Sequence, residues 1–226
     1  MAAIYVSEKK LVHIENRLEK VPVTNDPIAL FNIWYDLAKS TKTIKEPYAM
    51  TLATVNNNGR PTARIVALES VGENGFKFST NYKSPKAQDL ISTPFAALVF
   101  YWPELGCSIR IEGDVEKLSE EESNKMFSGF PRTIQLVAFA SVNQSAPLES
   151  LNQISQLVQN VDKKYHNMKI ECPNHWGGYV VVPDRIEFYE TGTSHVSKRT
   201  VFVKETNDCG TWTKGEKGWF YQKLQP

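Results

Sequence analysis

Long apolar runs are missing from this chain of 226 residues. No stretch approaches the roughly twenty apolar residues that a membrane-spanning helix needs, so the sequence predicts no membrane span. The first ten residues mix charged and apolar side chains, which does not fit a secretory signal peptide. Neither sign of charge dominates, because 26 Lys and Arg against 25 Asp and Glu give a formal net charge of +1. The chain therefore offers no general attraction to nucleic acid or to a membrane surface.

Cysteine is scarce: Cys107, Cys172 and Cys209 are an odd and widely spaced set. Such a set indicates a reducing compartment rather than a disulfide framework, so we expect a cytoplasmic protein. Cys172 and His175 have a metal-like spacing but no second pair of ligands, so no metal site is expected. A P-loop, a GxGxxG motif and a Ser/His/Asp arrangement are also absent from the sequence.

Apolar residues make up 41% of the chain, and aromatic residues 11%, which favours a folded globule. Short runs of apolar and β-branched residues separated by Asn/Gly turns predict strands, and helical spacing predicts helices. The expected strands cover residues 49–55, 62–68, 76–80, 95–102, 107–118, 176–182, 185–189, 199–203 and 218–224, and the strand at 95–102 is expected to be buried on both faces. The expected helices cover residues 26–39, 84–91, 119–129 and 148–161, whereas residues 132–146 give no clear pattern.

This order of elements predicts a mainly β fold with peripheral helices (α+β), built as one antiparallel barrel. Residues 1–25 are mixed and charged without a sustained period, so we interpret them as an N-terminal arm. Residues 26–226 are interpreted as a single domain.

Cations and hydroxyls of the kind that hold a phosphate lie among these strands, namely Arg64, Ser79, Thr80, Ser84, Lys86 and Arg110. Ser84 and Lys86 flank a predicted helix start, where free N–H groups and the helix dipole favour an anion. Arg64 lies within an apolar strand, where an unpaired cation would be costly. Its partner is either a ligand phosphate or a carboxylate, with Glu69 and Glu112 as the candidate carboxylates.

Further along the chain, Arg199 is either a surface arginine at a strand start or part of the same site. His195 and Ser197 just before it could form a polar wall, or His195 could be an ordinary loop histidine.

Several segments together resemble one known family. They are Arg64-Ile-Val-Ala-Leu68, Phe78-Ser-Thr-Asn81 followed by Ser84-x-Lys86, Leu98-Val-Phe-Tyr-Trp102, Ile109-Arg-Ile-Glu-Gly113, Trp176-Gly-Gly-Tyr179, Ile186-Glu-Phe-Tyr-Glu190 and Lys223-Leu-Gln-Pro226. In this order, from about Asp26 to the C-terminus, the chain is similar to the pyridoxamine 5′-phosphate oxidase family. The resemblance implies an FMN-binding split β-barrel and a homodimer with FMN at the subunit interface.

The resemblance also implies roles for individual residues. Arg64 and Lys86 would bind the FMN phosphate, Thr80 would add a hydroxyl, and the backbone of residues 65–67 would run along the flavin. The full set of implied cofactor positions is Arg64, Ile65, Val66, Ala67, Ser79, Thr80, Ser84, Lys86, Ser108, Gln144, Ser145, Tyr189 and Arg199. Gln144 and Ser145 fit the family's pair if one residue is inserted before them. The family has a second phosphate arginine where Pro85 stands and a flavin-contacting glutamine where Ser108 stands.

The implied substrate pocket departs further from the family. Its positions in this chain are Glu69, Met126, Phe130, Ile134, His195 and Ser197. Four polar or cationic phosphate contacts of the family thus become one acid and three apolar groups. Each charge-assisted hydrogen bond to a phosphate contributes about 1.5–3 kcal/mol, so the loss of all four would abolish tight binding of a phosphorylated substrate.

Three functional hypotheses follow from the resemblance. The first is an FMN-dependent oxidoreductase, transferring a hydride equivalent from an amine or alcohol carbon of a small, less anionic substrate to FMN, with dioxygen as acceptor. The second is a non-catalytic FMN- or pyridoxal-phosphate-binding relative. The third is genuine pyridoxal 5′-phosphate synthesis through a rearranged site. No catalytic side chain is identified by the sequence.

Overall fold

The computed structural model describes residues 18, 24–148, 150–166, 168–191, 196–205 and 211–225. The chain divides into two compact units. The first unit consists of Met1–Ala49, Val99–Ile111 and Asp184–Pro226, and the second of Met50–Leu98 and Glu112–Pro183. The predicted arm lies largely outside the described residues, and the single domain from residue 26 stays a prediction.

The described residues form five α-helices and ten strands. The helices are α1 (Pro27–Ser40), α2 (Pro85–Ser92), α3 (Glu120–Ser128), α4 (Arg132–Ala140) and α5 (Leu151–Lys164). The strands are β1 (Ala49–Val55), β2 (Pro61–Ala67), β3 (Ser70–Gly72), β4 (Gly75–Asn81), β5 (Phe95–Trp102), β6 (Cys107–Lys117), β7 (Trp176–Glu190), β8 (Lys198–Val203), β9 (Thr213–Lys214) and β10 (Phe220–Leu224). The predicted mainly β architecture with helices outside the hairpins is confirmed.

Strands β5, β6 and β7 contribute residues to both units. In the second unit the hydrogen-bonded order is β2-β1-β5-β6-β7-β4-β3, and in the first it is β5-β6-β7-β8-β10-β9. The antiparallel β4–β7 pair sets Ser79 opposite Gly178. The antiparallel β7–β8 pair sets Tyr189 opposite Arg199.

Helix α1 begins where the sequence predicts it. The Asp26 carboxylate accepts hydrogen bonds from the backbone N–H groups of Ile28 and Ala29 at 2.9 and 3.2 Å, and Pro27 occupies the first turn. Phe31 and Trp34 are buried in the first unit, where the Trp34 ring meets Phe188 edge-on at 5.1 Å. This contact fixes α1 against β7.

Helix α3 begins at the predicted capping box. The Ser119 hydroxyl accepts a hydrogen bond from the Glu122 backbone N–H at 3.1 Å, and it lies 3.3 Å from the Glu122 carboxylate. Phe127 on this helix packs with Leu136, Ile170 and Trp176 in a buried cluster of the second unit. The cluster holds α3 and α4 beside the start of β7.

Three sequence predictions about elements were wrong or incomplete. The two strands expected around a turn at Pro183 are one strand, β7. Strand β5 is not buried on both faces, since burial alternates along it and Tyr101 is 55% exposed. Residues 132–140, which gave no clear pattern, form α4, whose start at Pro131 has no side-chain cap.

The continuity of β7 through Pro183 depends on glycine in neighbouring strands. A Cβ atom at Gly113 would lie 2.0 Å from the Val182 carbonyl oxygen and 2.8 Å from the Pro183 Cα. A Cβ atom at Gly75, whose φ is +115°, would also lie 2.0 Å from the Val181 oxygen. Because glycine has no Cβ atom, the β7 backbone approaches both positions more closely than any other residue type would allow.

No helix in the described part of the chain is long and apolar enough to cross a membrane.

Candidate functional site

Arg64 on β2 lies in a ring of oxygen atoms within the second unit. Its Nη1 donates hydrogen bonds to the Leu52 carbonyl at 3.1 Å and to the Thr54 hydroxyl at 2.7 Å. Its Nη2 donates to the Thr62 hydroxyl at 2.7 Å. The guanidinium is thus held against β1 and β2, with its side chain 22% exposed.

Lys86 lies on the first turn of α2 in the same unit. Its Nζ donates a hydrogen bond to the Thr80 hydroxyl at 3.1 Å, and that hydroxyl lies 3.4 Å from the Ser84 hydroxyl. Ser84 is fully buried and caps α2 by accepting from the Ala87 N–H. We call Arg64, Thr80, Ser84 and Lys86 the phosphate cluster, because two cations, two hydroxyls and a helix start suit an anion.

The acidic residue beside Arg64 is Asp89, which the sequence reasoning missed. Its Oδ2 accepts hydrogen bonds from Thr54 at 2.7 Å and Thr62 at 2.9 Å, and it lies 3.7 Å from the Arg64 Nη2. The carboxylate at ion-pair distance from Arg64 is thus Asp89, and the candidates Glu69 and Glu112 were wrong. The helical spacing of Lys86 and Asp89 was a usable signal, since residues three apart share a helix face.

The cations of the cluster are held at an energetic cost. Burial lowers the pKa of Arg64, and the negative charge of Asp89 opposes that shift. Burial also lowers the pKa of Lys86, and the positive charge of Arg64 lowers it further. A bound phosphate would stabilise the charged form of both side chains, so the cluster is electrostatically suited to an anion.

The predicted flavin-facing stretch follows Arg64 along β2. Ile65 is 67% exposed, Ala67 is also exposed, and Val66 is partly buried. Strand β2 ends the hydrogen-bonded order of its unit, with β1 as its partner within the described residues. Its outer edge therefore offers the backbone N–H and C=O groups that the sequence prediction requires.

Gln144 and Ser145 lie in an exposed turn after α4. Ser145 has a positive φ of 72°, which is uncommon outside glycine and fixes the shape of the turn. Asn81 at the end of β4 donates from its side-chain amide to the Ser141 carbonyl and, at 3.3 Å, to the Val142 carbonyl. Asn81 therefore anchors this turn beside the strand that carries Ser79 and Thr80.

The predicted substrate positions of the second unit have an apolar environment apart from Glu69. Met126 and Phe130 pack against the buried cluster of Phe127 and Trp176, and the Phe130 ring meets Trp176 edge-on at 5.3 Å. Ile134 on α4 is 50% exposed. In the described structure none of these three side chains can donate a hydrogen bond to a phosphate.

The remaining predicted positions that the structure describes lie in the first unit. The Tyr189 hydroxyl lies 2.8 Å from the Ser197 hydroxyl, and Ser108 is partly buried on β6. His195 lies outside the described residues. Arg199 and Ser197 line a cavity of about 490 Å³ whose wall includes Trp34 and Phe188.

Two arginines of the first unit donate hydrogen bonds to the buried Glu187 carboxylate, and a third, Arg185, lies 3.7 Å from it. Arg199 donates to the Glu187 Oε1 from Nε at 2.9 Å and from Nη2 at 2.7 Å. Arg110 donates to the Glu187 Oε2 at 2.9 Å. Arg110 thus has a carboxylate partner, in contrast to the ligand phosphate that the sequence suggested for it. No group of three or more His, Cys, Asp or Glu side chains in the described residues could hold a metal ion.

Comparison with known proteins gives consistent matches along the chain. A protein-family model described as pyridoxamine 5′-phosphate oxidase matches residues 38–163. A second model, the pyridoxine 5′-phosphate oxidase C-terminal dimerisation region, matches residues 176–226. The pyridoxine/pyridoxamine 5′-phosphate oxidase of Bombyx mori is 39% identical over 94% of this chain and 84% of its own. The Burkholderia lata protein of the same name is 42% identical over 87% of this chain and 90% of its own.

Solved structures agree with these matches. The structure of PhzG from Burkholderia lata in complex with tetrahydrophenazine-1-carboxylic acid is 27% identical, with a TM-score of 0.79 over 89% of this chain and 93% of its own. A pyridoxamine 5′-phosphate oxidase-related, FMN-binding protein of Nostoc punctiforme is 17% identical, with a TM-score of 0.68 over 88% of this chain and 96% of its own. The predicted fold class, a mainly β protein of the FMN-binding split-barrel type, is confirmed.

Proposed function

Because the chain belongs to the pyridoxamine 5′-phosphate oxidase family, we propose that it is an FMN-dependent oxidoreductase whose substrate site no longer fits a phosphate. The observation that carries the cofactor is the phosphate cluster: Lys86 donates to the Thr80 hydroxyl beside Ser84, and Arg64 lies near enough for its charge to act on Lys86. The chemistry that bound FMN would supply is hydride acceptance from a carbon that bears an amine or alcohol, with dioxygen as the final electron acceptor.

The chain's own residues have separable tasks in this proposal. Arg64 and Lys86 hold the phosphate, while Thr80 and Ser84 add hydroxyl donors. The exposed edge of β2 along residues 65–67 orients the ring by backbone hydrogen bonds. The further cofactor positions proposed from the family resemblance are Ser79, Ser108, Gln144, Ser145, Tyr189 and Arg199.

Two substitutions weaken the family's cofactor site in this chain. Pro85 cannot supply the second phosphate arginine, and Ser108 is shorter than the glutamine at that position. The loss of one arginine removes a charge-assisted contact of about 1.5–3 kcal/mol, so FMN should bind more weakly than in a site with both cations. Arg64 and Lys86 then become the principal phosphate contacts.

The proposed substrate is a small molecule that is less anionic and more apolar than pyridoxamine 5′-phosphate. Met126, Phe130 and Ile134 offer apolar contact where the family binds a phosphate, and Glu69 would repel one. His195 and Ser197 are proposed as the remaining pocket positions on the basis of the resemblance alone.

The cofactor proposal is tested by the affinity for FMN relative to riboflavin, which lacks the phosphate. Arg64→Ala and Lys86→Ala are each expected to weaken FMN binding by roughly 10- to 100-fold and to leave riboflavin binding nearly unchanged. Arg60→Ala, which removes an exposed cation just before β2, is the matched control. Equal losses for FMN and riboflavin, or no flavin binding by the unmodified protein, would contradict the proposal.

The activity named for the relatives is a second candidate, favoured by 39–42% identity over most of the chain. Formation of pyridoxal 5′-phosphate from pyridoxamine 5′-phosphate, with FMN added, distinguishes the two. Rapid turnover would contradict the proposed loss of the site that binds the phosphate of the substrate. Flavin binding without reduction by any amine or alcohol would instead indicate a non-catalytic relative.

Two broader proposals accompany the function. The match of residues 176–226 to a dimerisation region supports a homodimer, with FMN at the interface as the resemblance implies. A cytoplasmic location stays a prediction from the cysteine content.

A further inference from the structure

The Glu69 carboxylate has an unusual environment for a charged group. It is partly buried, and its one hydrogen-bond donor among the described residues is the Ser79 hydroxyl, at 2.8 Å from Oε1. Burial raises the pKa of Glu69, and the Ser79 hydrogen bond opposes that shift without reversing it. No Lys or Arg in the described part of the chain forms an ion pair with it. A half-buried carboxylate in this state is stabilised by any cation that can reach it.

A basic residue that neighbours Glu69 is already ion-paired elsewhere. The Glu69 backbone N–H donates to the Lys77 carbonyl at 2.9 Å, so these two residues are neighbours across the β3–β4 hairpin. The Lys77 Nζ, however, lies 2.7 Å from the Glu122 carboxylate. The negative charge of Glu69 is therefore not balanced by the lysine beside it.

Apolar side chains lie near Ser79, the hydrogen-bond donor to this carboxylate. Ser79 lies opposite Gly178 in the β4–β7 pair, and residues opposite each other project from the same face of a sheet. A Cβ atom at Gly178 would lie 2.6 Å from the Leu118 Cδ1 and 3.4 Å from the Met126 Cε. The side chains of Leu118 and Met126 thus cover the face that carries Ser79 and its partner Glu69.

From this arrangement we propose that Glu69 binds a positively charged group of the substrate. The inference rests on the proposed function and names its substrate class: an amine or alcohol with an apolar body and a cationic group away from the oxidised carbon. The cation forms an ion pair with the Glu69 carboxylate, and the apolar body packs against Met126. A phosphorylated substrate is rejected by the same carboxylate.

Three small aromatic probes of different charge test the proposal. Benzyltrimethylammonium is a permanent cation, benzyl alcohol is neutral and phenyl phosphate is an anion. Their dissociation constants are measured by calorimetry on the full-length protein saturated with FMN, so that phenyl phosphate cannot occupy the phosphate cluster. The unmodified protein is expected to bind the cation at least tenfold more tightly than either other probe.

Substitutions then assign the preference to one side chain. Glu69→Gln is expected to lower the affinity for the cation about tenfold, and Glu69→Lys to reverse the preference towards phenyl phosphate. Glu73→Gln makes the same change of charge at an exposed position in the β3–β4 turn and is expected to leave all three affinities unchanged.

Two results overturn the proposal: phenyl phosphate binding as tightly as the cation to the unmodified protein, or equal affinity for the cation in the Glu69→Gln variant. The first needs no variant, so it remains decisive if a substitution prevents folding. Absorbance of bound flavin, recorded on the same samples, separates this inference from the proposed function. Flavin binding without preference for the cation refutes only the role of Glu69, whereas absence of flavin binding refutes the cofactor.

Discussion

The guanidinium of Arg64 illustrates how single residues define this site. Two threonine hydroxyls and a backbone carbonyl accept its hydrogen bonds, and the same two hydroxyls donate to the Asp89 carboxylate. The side chain is therefore fixed before any ligand arrives, which reduces the entropy lost on binding. Asp89 also opposes an incoming phosphate, so the fixed geometry has an electrostatic cost.

Lys86 gives the site a predicted dependence on pH. Burial and Arg64 lower the pKa of Lys86 below its usual value of 10.5, whereas a bound phosphate favours the charged lysine. As the pH rises through the pKa of the ligand-free protein, FMN binding must therefore be accompanied by proton uptake, and its affinity falls. We expect the ratio of FMN to riboflavin affinity to begin to decrease at a pH below the ordinary lysine value of 10.5. A Lys86→Arg variant should keep the ratio constant, because arginine stays charged at these pH values; a constant ratio in the unmodified protein would contradict the prediction.

Glu69 and Glu122 are predicted to affect stability with opposite dependence on pH. Burial raises the pKa of Glu69, so its contribution to stability is lost as the pH rises from the unfolded value through the folded one. Glu69→Gln should therefore gain stability relative to the unmodified protein as the pH rises above the ordinary glutamate value of 4.5. Lys77 lowers the pKa of Glu122. The contribution of Glu122 to stability is therefore present at neutral pH and is lost as the pH falls through its folded-state pKa.

Urea unfolding of both variants at several pH values measures these differences. Glu122→Gln, the matched control in the same region, should lose stability relative to the unmodified protein at pH 7 and approach it at low pH. Parallel curves for the two variants would show that the environments of these carboxylates do not differ in solution.

At the scale of elements, β7 shows why a local rule failed. A proline followed by aspartate normally indicates a turn, and this was the reason for predicting two strands. The backbone continues instead because glycines at positions 75 and 113 let neighbouring strands approach the Val181 and Val182 carbonyls. The helices begin at signals that are local, as at Asp26 and Ser119, and these were predictable.

The close approach at Gly113 gives a prediction about strand stability. Gly113→Ala would place a Cβ atom 2.0 Å from the Val182 oxygen, so the strands must separate. We expect a loss of about 2–3 kcal/mol in the free energy of unfolding, in the range of overpacked interiors. Gly72→Ala in the β3–β4 hairpin meets no atom within 4 Å and is the control, with stability unchanged or slightly raised. Equal stability of the two variants, measured by chemical unfolding, would refute this role of Gly113.

At the scale of the whole molecule, the proposed homodimer is the property to test. Residues 176–226 match a dimerisation region, and large apolar side chains such as Ile65 and Tyr101 are more than half exposed in this single chain. Exposed apolar groups of this kind often mark a protein interface. Light scattering coupled to size exclusion should give about twice the chain mass of 25.6 kDa. An Ile65→Glu variant should shift the mass towards the monomer and weaken FMN binding, whereas a monomeric unmodified protein with FMN bound would contradict the proposal.

The sequence by itself determined the family, the mainly β class and the starts of α1, α2 and α3, because these depend on the order of motifs and on capping residues within one turn. Of the six cations and hydroxyls that it grouped, four lie in the phosphate cluster, whereas Ser79 donates to Glu69 and Arg110 to Glu187. Only the tertiary structure brought Asp89 against Thr54 and Thr62, left Glu69 without an ion-pair partner among the described residues, and carried β7 through Pro183. These features depend on contacts between residues far apart along the chain, and no local pattern specifies which distant groups will meet.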